Sequence, residues 1–173
     1  MKRLMIIAAA LAIASASAGC AEMAAKRVLH EAAGASAKVV NRATTPNLAG
    51  IDGLKVGNIR NEAEQICPPE FLSALRTELA VAAKESKSLA GSASPATIDA
   101  DVVHYESPDT LGAAVSPETT GIVLVTLTGA DGKVLGKLTV VGKSKAARTS
   151  PGDMAKVMAR KLVAYLQERK TVR

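Results

Sequence analysis

Aromatic residues are almost missing from this chain. Phe71, Tyr105 and Tyr165 are all it has, 2% of 173 residues, and there is no tryptophan. A stacking platform for single-stranded nucleic acid needs several exposed rings, so that class is excluded. Cysteine is as scarce: Cys20 and Cys67 cannot build a disulfide scaffold, and no C-x-x-C spacing exists. No second long apolar run follows the first, which excludes a polytopic membrane protein. Histidine occurs twice, at His30 and His104, and no G-x-S-x-G motif is present. Nucleophilic catalysis by Ser or Cys would need one of those histidines beside a carboxylate. The expectation is therefore a protein that is not an enzyme, with no metal and no cofactor.

What is present is apolar: 48% of residues are hydrophobic and the formal net charge is +6. That balance excludes a disordered chain, and the length points to one domain or one domain plus a tail.

The first residues read as an address. Met1-Lys2-Arg3 is a charged start, Leu4 to Ala14 is an apolar core, and Ser15 to Cys20 is a small-residue exit. This is the pattern of a secretory signal peptide over residues 1–19. Eleven apolar residues make about 16 Å of helix, short of the roughly 30 Å a membrane core requires. Losing Lys2 and Arg3 with the leader lowers the net charge by two, leaving a mildly basic chain with no nucleic-acid signature.

Ser17-Ala18-Gly19-Cys20 resembles the lipobox of bacterial lipoproteins, with Ser17 where that family usually has Leu. The resemblance implies that Cys20 is acylated with diacylglycerol and becomes the first residue of the mature chain. Ala21 then follows it, which by resemblance to Gram-negative sorting implies the periplasmic side of the outer membrane. Ala16-Ser17-Ala18 also offers an ordinary A-x-A exit, which would give a soluble periplasmic protein beginning at Gly19. The two cysteines follow that fork. With Cys20 acylated, Cys67 is buried, free or paired between chains; otherwise a Cys20–Cys67 disulfide is open. Cys67 precedes Pro68-Pro69 at a helix start, where a thiol can be activated, but a small buried residue is the simpler reading.

Residues 20–50 read as a lipid-anchored segment and tether. Within them, residues 21–33 form a short helix carrying Met23, Val28 and Leu29, and Ala37 to Val40 offers an additional edge strand. The domain proper spans 51–173. Residues 53–60 alternate as a first strand, weakened by Gly57. Phe71, Leu72, Leu75 and Leu79 recur at helical spacing behind Pro68-Pro69-Glu70. Ile98, Ala100 and Val102 alternate against Thr97, Asp99 and Asp101 in a second strand. Residues 107–120 form a long loop, and Gly121 to Thr128 is apolar enough for a central strand. Asp131-Gly132 centres a hairpin turn leading into a strand from Val134 to Val141. Residues 142–149 read as a basic loop. Ser150, Pro151 and Asp153 then open a last helix with Met154, Val157, Met158, Leu162 and Tyr165 on its apolar stripe. The expected fold is α+β: a two-layer sandwich of four strands with both helices on one face, in the order βαβββα.

Three constellations carry candidate chemistry. Asp99 and Asp101 share a strand face near His104 and Glu106, an acid/base or metal set in type. Strict alternation, however, sends His104 to the opposite face. Gly142-Lys143-Ser144 resembles the end of a phosphate-binding loop, yet Gly136 is one residue too far upstream and a strand intervenes. Lys143, Lys145 and Arg148, with the basic residues of the last helix, could meet anionic headgroups, though a solvated face explains them equally.

From Leu54 to Leu166 the chain resembles small bacterial envelope lipoproteins, including relatives of the curli-secretion lipoprotein and the TolB N-terminal domain. Phe71-Leu72-x-x-Leu75-x-x-x-Leu79, the strand ending Tyr105-Glu106, Gly129 to Leu135 and the closing Met154 to Leu166 helix carry that resemblance. It implies a non-catalytic docking or assembly module whose partners are the membrane, through the anchor, and other envelope proteins. The rivals are a soluble periplasmic protein holding a small or lipidic ligand, in a pocket lined by Val125, Met154 and Met158, and a hydrolase.

Overall fold

The computed structural model describes residues 34–41, 46–64, 66–107, 118–144 and 149–171. Residues 1–19, expected as a leader, the helix expected over residues 21–33, and Cys20, His30, Lys145 and Arg148 lie outside the described residues. Gly34–Arg173 forms one compact unit.

Five strands make a single sheet: β1 (Ala35–Asn41), β2 (Gly53–Asn61), β3 (Pro95–Glu106), β4 (Thr119–Thr128) and β5 (Val134–Ser144). Their spatial order is β1-β5-β4-β3-β2. Helix α1 (Pro69–Glu85) connects β2 to β3, and α2 (Pro151–Thr171) closes the chain. The expected α+β class holds, but the sheet has five strands rather than four and the order is ββαβββα rather than βαβββα.

The added strand is β1, inside what reads from sequence as a tether. It pairs antiparallel with β5, setting Val39 beside Val140 and Ala37 beside Gly142. Its Ala35 is buried, and Ala37 and Val39 pack on the core. The chain then passes from this edge of the sheet to the other. Pro46 closes on Gly136, Leu48 and Ile51 enter the core, and Asn47 N–H donates to Leu135 O at 3.3 Å. Asp52 ends this passage. Its carboxylate accepts Ser94 N–H at 2.8 Å and Ala93 N–H at 3.0 Å.

β2 and β3 run parallel, as a helical crossover requires, and the other pairings are antiparallel. In α1, Pro69 and Glu70 occupy the first turn and Lys84 the last, matching the helix dipole. Phe71, Leu75, Leu79, Ala82 and Ala83 are its buried face. α2 starts on a reciprocal cap: Ser150 Oγ accepts Asp153 N–H at 3.1 Å, and Asp153 Oδ2 accepts Ser150 N–H at 3.3 Å. Met154, Met158, Leu162 and Leu166 point inward from it, while Val157 and Tyr165 are half-buried. The helices also touch each other: Arg160 and Glu78 form an ion pair at 3.8 Å, and Ser86 Oγ meets Gln167 Oε1 at 3.0 Å.

Ile98, Val102, Val123, Leu127 and Leu138, inward on β3, β4 and β5, join the buried faces of both helices in one core cluster. Each fully buried aliphatic or Phe side chain contributes about 1.5–3 kcal/mol. β5 runs three residues past the expected Val141, so Gly142-Lys143-Ser144 is strand rather than loop. The reason is packing: Gly142 lies against Met154 and Met158, where a Cβ would not fit. The β4–β5 turn is the expected one, with Gly132 at φ 79° and Asp131 Oδ1 accepting Lys133 N–H at 3.1 Å. That bond and the nearby ammonium hold the Asp131 carboxyl below its ordinary range. Among the described residues no helix is long and apolar enough to cross a membrane.

Candidate functional site

Both helices cover one face of the sheet; no described helix or strand covers the other. That open face is built from residues of alternate parity, and a bulge decides which residues join it. β3 shifts register between Val102 and His104. Val102 and Tyr105 both stay buried on the helix side, so Val103 and His104 turn outward together. The alternation argument that sent His104 away from Asp99 and Asp101 is thereby corrected: all three share the open face.

They do not form a reactive cluster. Asp99 Oδ1 accepts Asn58 N–H at 2.7 Å, Asp101 Oδ1 accepts Arg60 Nε at 2.8 Å, and His104 Nε2 meets Glu106 Oε2 at 3.5 Å. Asp101 keeps Arg60 protonated to still higher pH than usual. Among the described residues no three His, Cys, Asp or Glu side chains are grouped to hold a metal ion.

The other candidates resolve structurally. Cys67 is free and buried, and burial pushes its thiol up, the reverse of activation. Tyr105 is raised by burial first, then by Cys67 and Glu70, and its ring lies 5.2 Å from that of Phe71. Lys143 extends from β5 to Glu118 at 3.8 Å and cradles no phosphate-sized loop. The pocket imagined around Val125, Met154 and Met158 is closed. The core space lined by Val125, Met158 and Leu162 measures about 10 Å³, room for about one water. The methionines fill the core.

What remains is a concavity of about 400 Å³ on the open face, lined by Val103, His104, Thr120, Ile122, Leu124 and Thr139. Leu124 is 39% exposed at the middle of this face, with Ile122 beside it. Thr139 is buried at the floor. The surface is open to solvent, with Val103, Ile122 and Leu124 apolar and His104, Thr120 and Thr139 polar, an arrangement that another surface can cover.

The fold has solved counterparts. The PelC dodecamer from Paraburkholderia phytofirmans superposes with a TM-score of 0.50 at 14% identity, covering 77% of this chain and 98% of that one. A second PelC structure from that organism gives 0.47 at 16% identity, over 77% and 97% of the chains. A Xanthomonas campestris protein of family model DUF330 gives 0.47 at 14%, over 77% and 96%. These are likenesses of fold. No family model matches the chain, and no curated protein matches it.

This chain's described domain is one sheet with its helices layered on a single face. Its open face was legible only in part from sequence. β4 is apolar at Ile122 and Leu124 as well as at Val123 and Val125, and that doubled apolarity is the signal of a strand with something to cover on both sides.

Proposed function

We propose that this protein is a non-catalytic envelope lipoprotein, acylated at Cys20 and held at the periplasmic side of the outer membrane. Its α+β domain acts there as a docking or assembly module. The observation that carries the docking role is the open sheet face, with Leu124 at its centre and, among the described residues, a core space of only about 10 Å³ beside Val125 and Met158. The lipobox-like Ser17-Ala18-Gly19-Cys20 supports the anchor. The carboxylates that resemble a catalytic set are spent on β2 and on His104, which supports a non-catalytic role.

The intact mass of the chain from bacterial membranes, with and without an inhibitor of lipoprotein signal peptidase, tests the anchor. A chain beginning at Cys20 with diacylglycerol is expected. A soluble chain beginning at Gly19 with a Cys20–Cys67 disulfide would overturn it. A photo-cross-linking residue in place of Leu124 tests the face: protein adducts in cells are expected, and none would remove the docking role.

A further inference from the structure

Two rows of the open face, near its two ends, each set an acidic residue of β3 against a lysine of β5. Cross-strand register defines the rows. In one, Asp99 on β3 neighbours Thr126 on β4, which neighbours Lys137 on β5. In the next but one, His104 neighbours Ile122, then Val141, then Lys38 on β1. In the last, Glu106 neighbours Thr120, then Lys143. The row between the first two runs Arg60, Asp101, Leu124, Thr139, Val40. In the Asp99 and Glu106 rows an acid on β3 thus stands across an uncharged β4 residue from a lysine on β5, while Asp101 is paired within its own row to Arg60 of β2.

Such a face is complementary to itself under one operation. A two-fold axis lying along β4, in the plane between two facing sheets, keeps each row opposite the same row and exchanges left for right. Asp99 of one copy then faces Lys137 of the other, Glu106 faces Lys143, and Leu124 faces Leu124 across the axis. An axis across the strands would set like charges together, which is unfavourable. The dimensions suffice. Five strands at about 4.8 Å spacing and about ten residues at 3.4 Å rise give about 800 Å² per copy, the size of a standard stable interface.

We propose that a second copy of this chain covers the open face, sheet on sheet, with β4 on the symmetry axis. The inference rests on the docking role of that face and names its occupant. Aligned sheets cross at about 30°, which the long Lys and Glu side chains can span.

Sedimentation velocity of the chain purified in mild detergent reads the stoichiometry. A concentration-dependent dimer is expected. Leu124→Asp, at an exposed position, weakens it at least about tenfold by setting carboxylate on carboxylate. Lys143→Glu and Glu106→Lys each weaken self-association about tenfold, and an equimolar mixture of the two variants dimerises again, because both row pairs become opposite in sign. Circular dichroism of each variant matching the parent shows that the fold is intact. A monomer at every concentration overturns the proposal, as does a dimer indifferent to Leu124→Asp or a mixture that fails to reassociate. Adducts from position 124 to other proteins, with the chain itself monomeric, would overturn the second copy and leave the docking role standing.

Discussion

Asp99 accepts the backbone N–H of Asn58 at 2.7 Å, on the neighbouring strand and forty-one residues earlier in the chain. The bond sits where β2 shifts register between Val56 and Ile59. Gly57 occupies that bulge because a Cβ there would collide with Asp99 Oδ1. Arg76 of α1 donates to Gly57 O at 3.0 Å from the other side. A residue that weakens a strand by propensity and a carboxylate that resembles a general base are thus two halves of one structural device.

Asp99→Ala leaves the Asn58 N–H without its acceptor and is expected to cost about 1–2 kcal/mol, the range for a hydrogen bond to a charged group at a half-exposed site. Asp99→Asn keeps a carbonyl acceptor and loses less. Asp101→Ala, which breaks an exposed ion pair with Arg60, leaves stability nearly unchanged. Urea midpoints of the three variants check the order; equal losses for Asp99 and Asp101 would show that the bulge does not depend on this bond.

Cys67 and Tyr105 are expected to contribute to a loss of stability at alkaline pH. Burial raises both in the folded chain, so above their unfolded values the native state binds more protons than the unfolded one. Stability is then full below about pH 8.5, the ordinary thiol value, and falls as pH rises through the raised folded values. Cys67→Ala is expected to remove the first part of that fall, leaving a decline that starts only near the tyrosine range at about pH 10. Denaturation midpoints between neutral and alkaline pH decide it; an unchanged profile in Cys67→Ala would locate the effect elsewhere.

The helices were legible because each carries its own punctuation: Pro69 and Glu70 open α1, and Ser150, Pro151 and Asp153 open α2. The β4–β5 hairpin was legible for the same reason, through Asp131-Gly132. β1 was visible only as an optional strand, since its short Ala35–Asn41 run owes its conformation to pairing with β5 and to packing on α2. The outward turn of His104 was hidden because a single extra residue in β3 reverses the parity of everything after it. The open face left only the doubled apolarity of β4 as a trace, for Ile122 and Leu124 look like core residues until the sheet is seen to have helices on one side only.

The cap of α2 supplies a separable contribution. Ser150 and Asp153 satisfy each other's backbone N–H groups through their side chains. Ser150→Ala removes the acceptor for Asp153 N–H and is expected to cost about 1 kcal/mol. Ser150→Asp, which keeps an acceptor, is expected to lie close to the parent. Thermal midpoints of the pair test this, and a parent-like Ser150→Ala would mean that Pro151 alone sets the helix start.

Gly142 and Met158 are expected to behave as one unit. A Cβ on Gly142 would collide with Met158 Sδ and stand within 2.8 Å of its Cγ and 3.2 Å of Met154 Cγ. Met158 is 1% exposed, so its side chain has nowhere to retreat except into the tightly filled core beside Leu162. Gly142→Ala should therefore destabilise by about 1–3 kcal/mol, the usual cost of overpacking. Met158→Ala alone should cost about 2–5 kcal/mol through the cavity it leaves. In the double variant the new methyl group enters the space vacated by the thioether, so the combined loss should fall short of the sum by at least about 1 kcal/mol. A double-mutant cycle by urea denaturation measures that coupling directly, and strict additivity would mean that β5 moves away from α2 instead of the side chain yielding.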